Sequence, residues 1–359
     1  MNKPPQFIPD CLATGIGSLP FHQPQAALNL ILESFPQVPH WPQLPRRGSQ
    51  EGFVFQFLNP LVQTGLLELK ANQAYFTNEH SDWPERLTEF YRFYLAGETG
   101  EQEALKIFSF PPEAAVGFYA FIETIKKAGT GQALYFKGQL AGPVTLGLQV
   151  KDASGNLAYY DPQLRDILVK TLALHARWQT NQLMSLGRPP IIFIDEPAIS
   201  IYGQSGYITV TKEMIISDLT EIIQAVNTAG GRTGVHSCAA LDWTILFETH
   251  PDIVNLDAYN YGHSLLPYTK ELKDFLARDG VIAWGITPTS EKTFSEDVFT
   301  LTAKLQALWS ELTAKGADQE VLKRQAMITP ACGAGLLEPA LAQHIYRLTC
   351  LTAKHIKGY

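Results

Sequence analysis

The chain has 359 residues, 45% of them hydrophobic, enough to bury a full core as one large α/β domain or as two smaller ones. Its 35 acidic and 28 basic residues leave a net charge of −7 with no basic run, so neither nucleic acid nor an anionic membrane surface is an expected partner. Four cysteines are too few in a chain this long for a disulfide framework. No stretch approaches about 18 uninterrupted apolar residues, and the expectation is a cytoplasmic enzyme.

Short β-branched or apolar runs at 13–17 and 38–44 predict the first two strands. The stretch 45–131 then breaks the rhythm, being too long for one crossover. It carries helical patterns at 51–58, 88–95 and 117–127, with Phe53, Phe55, Tyr91 and Phe93 among them. It reads as an elaborated loop packed over one end of the fold, with a separate folding unit as the alternative. Strand candidates resume at 133–140, 190–195, 232–236, 252–257, 280–286 and 325–329.

Helical patterns with recognisable ends separate these strands. Asp161-Pro162 offers an N-cap followed by proline at the first helical position, and the stripe Leu164, Ile167, Leu168, Leu172 runs on toward Gly187. Ser217 is read as opening a helix through Ile222, Ile223 and Val226, closed by Gly230-Gly231, and 294–315 and 337–357 read as two more. Eight strands alternating with helices predict a (β/α)8 TIM barrel forming a single catalytic domain over 1–359, with a long helical insertion after the second strand. A doubly wound sheet competes, but no Gly-rich phosphate loop supports it.

In such barrels the chemistry sits where strands give way to the following loops. Ser18 follows the first strand candidate, Asp195 ends the fourth, His236 and Cys238 the fifth, Asp257 the sixth and Cys332 the eighth. Singly, a buried His is a satisfied core residue and a lone Cys a small hydrophobe. Jointly, these residues converge on one axis. One imidazole and two thiols suit a thiophilic metal, above all zinc, and a separation of roughly a hundred residues belongs to a large fold rather than a zinc finger. Cys11 and Cys350 lack this context and read as structural.

The segments Ile-Gly-Ser-Leu-Pro (16–20), Lys-Gly-Gln-Leu-Ala-Gly-Pro-Val-Thr (137–145), Ile-Asp-Glu-Pro-Ala (194–198), His-Ser-Cys (236–238) and Pro-Ala-Cys-Gly (330–333) resemble the C-terminal catalytic barrel of cobalamin-independent methionine synthase. The resemblance covers nearly the whole chain in order and spacing. It implies a zinc-dependent methyltransferase of methionine biosynthesis that methylates the thiol of homocysteine. It makes His236, Cys238 and Cys332 zinc ligands, and Asp257 the nearest match to the fourth, a Glu in the family. It makes Ile16, Gly17 and Ser18 the homocysteine-binding turn, and Asp195 the carboxylate that holds the substrate's amino group.

Three family features that serve a folate donor are replaced, by Gln149, Ile201 and Thr287. Thr287 stands where the family has the His that protonates the folate leaving group, and a hydroxyl is no substitute acid at neutral pH. A corrinoid donor, methylcobalamin or a corrinoid protein, leaves without a proton and is the expected methyl source. Two other readings stay open. One is a uroporphyrinogen decarboxylase-like lyase with Arg46-Arg47 as carboxylate ligands; the other is a non-catalytic barrel that binds zinc or a corrinoid.

Overall fold

The computed structural model describes residues 7–70 and 73–358. Its strands are β1 (Leu12–Ala13), β2 (Leu67–Lys70), β3 (Gln73–Phe76), β4 (Phe136–Ala141), β5 (Val150–Lys151), β6 (Pro190–Asp195), β7 (Arg232–Ser237), β8 (Ile253–Leu256), β9 (Val281–Thr287) and β10 (Ala326–Pro330). Seven of them pair in parallel in the order β1-β10-β9-β8-β7-β6-β4, a curled sheet that forms a half-barrel with helices packed outside it. The expected strand at 38–44 forms isolated parallel bridges instead, His40 with Lys137 of β4 and Gln43 with Ser18 just beyond β1. Pro39 and Pro42 have no N–H to donate, which keeps this segment from a continuous ladder.

The register explains where the chemistry falls. Side chains alternate across a strand, and paired residues on neighbouring strands share a face. Ile191, Phe193, Ile253, Val281, Ala283 and Met327 pack together with Phe7, Leu12 and Val38 as an apolar plug on the concave side. Ile192, Ile194, Val254, Ile282, Trp284 and Ile328 point the other way, into the layer shared with the helices. Two residues further along each strand the concave face turns polar. Asp195 follows Phe193, Asn255 follows Ile253 and Thr329 follows Met327, with His236 in register between Asp195 and Asn255. The plug therefore floors a polar chamber at the C-terminal end of the sheet.

The 45–131 stretch is less helical than expected. Two 3₁₀ turns, Ser49–Glu51 and Phe55–Phe57, replace a helix at 51–58. The other two patterns are helices, Trp83–Glu98 and Val116–Ala128. Between the 3₁₀ turns and the first of these helices lies an unforeseen element, the antiparallel pair β2–β3, to which β5 adds in parallel. The helix read as starting at Ser217 begins a turn and a half earlier, at Lys212, because the Thr211 side chain accepts from Met214 N and caps it. Asp161 does cap the long helix Pro162–Met184, accepting from Gln163 N and Leu164 N. Among the described residues, no helix is long and apolar enough to cross a membrane.

Candidate metal centre

His236 ends the concave face of β7, Cys238 follows in the next loop, and Cys332 begins the loop after β10. One ligand atom from each lies within 4.8 Å of the other two. Tetrahedral zinc with sulfur and nitrogen ligands separates them by roughly 3.3–3.8 Å, so a small inward rotation of side chains would complete the set. His236 is buried, and neither ring nitrogen has a hydrogen-bond partner of good geometry. An imidazole left so beside two thiols is a donor set that could hold a metal ion. The residues thus fit a thiophilic ion.

The electrostatics fit as well. Burial would push the His236 imidazole down, but Cys332 and the charge of Asp195 bring it above its ordinary value. The two thiols share a proton unevenly: contact with Cys332 lowers Cys238, while contact with Cys238 and burial raise Cys332. A cation placed between them would favour both thiolates.

One cavity of about 460 Å³ is lined by His236, Cys238 and Cys332 together with Ile16, Ser18 and Asp195. The turn at 16–18 is stitched in from three sides. The Lys137 ammonium donates to Ile16 O, Gln43 N donates to Gly17 O and Leu19 N to Gln43 O. From the loop after β10, Gly335 N donates to the Ser18 hydroxyl at 3.2 Å and Ala334 N to Ser18 O at 3.1 Å. Gly17 has a φ of +156°, and a Cβ there would stand 2.6 Å from the Gln139 side chain, so this position requires glycine.

Asp195 is buried with its Oδ1 unpartnered. Burial lifts its carboxyl to about 6, and His236 and Lys137 limit the rise, so it is ionised at neutral pH. A buried carboxylate oxygen without a hydrogen-bond partner on a cavity wall can receive a donor from a bound molecule. Its neighbour Glu196 does something different: its carboxylate accepts from Val144 N, Thr145 N and the Thr145 hydroxyl, fixing the Gly-Pro-Val-Thr turn.

Asp257 lies outside the group of three. Its carboxylate accepts from Asn260 N at 2.9 Å and from Asn260 Nδ2 at 2.7 Å, capping the short helix Ala258–Tyr261. Arg46 and Arg47 are both engaged, the first with Glu338 and Leu337 O, the second with the buried Glu51. Several site residues were not singled out from the sequence. Leu336 and Leu337 make apolar walls of the cavity together with Pro197 and with Phe53, one of the aromatics noted in the 45–131 stretch. Lys137 was quoted only within a motif, and burial depresses its ammonium to about 8. Cys11 and Cys350 line a separate cavity of about 420 Å³.

No model of a known protein family matches this sequence, and no curated protein matches it.

Proposed function

We propose that the protein is a zinc-dependent S-methyltransferase that converts homocysteine to methionine with a methylated corrinoid as donor. The observation that carries this reading is the shared cavity, where the His236, Cys238 and Cys332 donors face the Ile16–Ser18 turn and the unpaired Asp195 carboxylate. We read the sheet as a (β/α)8 barrel in which 38–44 serves as the second strand, since its bridges reach β4 on one side and Ser18 in the turn after β1 on the other.

In this reading His236, Cys238 and Cys332 would hold zinc, which would supply Lewis-acid activation of the substrate thiol. Zinc so bound would keep a coordinated thiol as the nucleophilic thiolate at neutral pH. Asp195 receives the ammonium of the amino acid, and the 16–18 turn, braced by Lys137 and Gly335, holds the rest of it. Phe53, Leu336 and Leu337 limit water around the sulfur. The sulfur lone pair then attacks the donor's methyl carbon. A sulfur–carbon bond would form as the cobalt–carbon bond breaks with both electrons remaining on cobalt; the thiol proton would leave to solvent when the thiolate forms, and no proton would be needed by the leaving group. That last point suits Thr287, a buried hydroxyl where a folate-dependent mechanism needs an acid.

The engagement of Arg46 and Arg47 with carboxylates of this chain weighs against a decarboxylase that would need them for its substrate. The test is turnover of homocysteine with methylcobalamin and, separately, with methyltetrahydrofolate. Methionine formation with the corrinoid alone is expected. Methionine formation with the folate and none with methylcobalamin would overturn the choice of donor.

A further inference from the structure

Asn255 occupies the concave face of β8, directly in register with His236 on β7. It is fully buried, and its amide nitrogen is committed twice: Nδ2 donates to Ala283 O at 2.7 Å and to the Thr329 hydroxyl at 3.0 Å. Ala283 O is a carbonyl and only accepts, so the amide cannot be flipped without facing oxygen with oxygen. The orientation of the side chain is therefore set by β9 and β10. Its Oδ1 is left buried and without a hydrogen-bond partner of good geometry, within interaction range of the His236 ring on the paired strand. Both ring nitrogens of His236 are in the same condition. A neutral imidazole has one N–H to give and one lone pair to offer a metal, and which nitrogen does which is decided by the acceptor beside it.

We propose that Asn255 is a positioning residue for the metal centre: its Oδ1 accepts the N–H of one His236 nitrogen, fixing the tautomer and the ring plane so that the other nitrogen's lone pair faces Cys238 and Cys332. The inference rests on the reading of those three residues as a metal site, and adds what orients the one ligand that is not a thiol. The chain of support runs from one backbone carbonyl, Ala283 O, and one side-chain hydroxyl, that of Thr329, through the amide to the imidazole. Of these groups only the imidazole belongs to the metal site.

The test measures zinc affinity by chelator competition for the wild type, Asn255→Leu and Asn255→Asp, with cobalt(II) substitution to report coordination. Asn255→Leu removes the acceptor and is expected to weaken zinc binding about 10–100-fold and to alter the cobalt visible bands. Asn255→Asp keeps an acceptor oxygen toward His236 and, protonated on the oxygen that faces Ala283 O, is expected to recover part of the affinity and the wild-type bands. An Asn255→Leu variant that binds zinc as tightly as the wild type, with unchanged cobalt bands, would overturn the proposal while leaving the metal centre standing. A wild type that binds neither metal would instead remove the centre on which the proposal rests. Should Asn255→Leu fail to fold, the metal-free wild type decides: ¹⁵N–¹H correlation of the histidine rings is expected to show His236 as a single tautomer, and a mixture of tautomers would contradict the role given to Asn255.

Discussion

Asp195 ends β6 and Asp257 directly follows β8 of the same sheet, and their surroundings tell them apart. Asp195 keeps a buried oxygen without a partner on the cavity wall, whereas both oxygens of Asp257 are taken by Asn260. Asp195→Asn is therefore expected to leave zinc content unchanged and to lower kcat/KM for homocysteine by about 10–100-fold, the worth of one charge-assisted hydrogen bond. Equal kinetics in the variant would remove Asp195 from the substrate site. Asp257→Asn is expected to retain zinc, measured by metal analysis, because an Asn side chain can still cap the helix Ala258–Tyr261; loss of zinc would make Asp257 a ligand after all. At this scale the sequence was most readable where residue types are rare. Imidazole and thiols at strand ends announce themselves. Lys137 and Asn255 did not, because a single Lys or Asn serves many ends and only the pairing of strands shows what each one faces.

Elements were legible in proportion to how cleanly one face of each is buried. The run Pro190–Asp195 is buried at every position and matches its strand to the residue. The segment 38–44 is apolar too, but Pro39 and Pro42 reduce it to bridges that share edges with Lys137 and Ser18. The antiparallel pair β2–β3 escaped notice because Glu68, Lys70 and Gln73 dilute the pattern.

His40 pins the bridged segment. One ring nitrogen contacts Trp41 O at 2.8 Å and the other the Tyr346 hydroxyl at 3.1 Å. Burial, helped by the nearby Lys137 charge, lowers this imidazole to about 3. The unfolded chain takes up a proton there near pH 6.5 while the fold does not, so His40 costs stability as the pH falls from 6.5 toward 3. Urea unfolding should show His40→Gln less stable than the wild type at pH 7. The gap between them should narrow below pH 6.5, by at most about 1.4 kcal/mol per pH unit. A gap independent of pH would mean that His40 is charged in the fold or lies exposed.

The molecule as a whole separates stability from chemistry along the strand direction. An apolar plug fills the concave side, and the polar residues stand above it where the strands end, so ligands from β7 and from the loop after β10 meet although about ninety residues lie between them in sequence. The alternation of strands and helices made the parallel sheet readable beforehand. The part played by the insertion was not, since nothing in the pattern of Gly52-Phe53 says that it will wall a cavity built by distant strands. The central claim is that His236, Cys238 and Cys332 form one metal site, and metal analysis of purified wild type and Cys332→Ala tests it most directly. About one zinc per chain in the wild type, lost in the variant while the fold remains, is the expected result. A folded wild type that carries no zinc and takes none up, indistinguishable from Cys332→Ala, would contradict it.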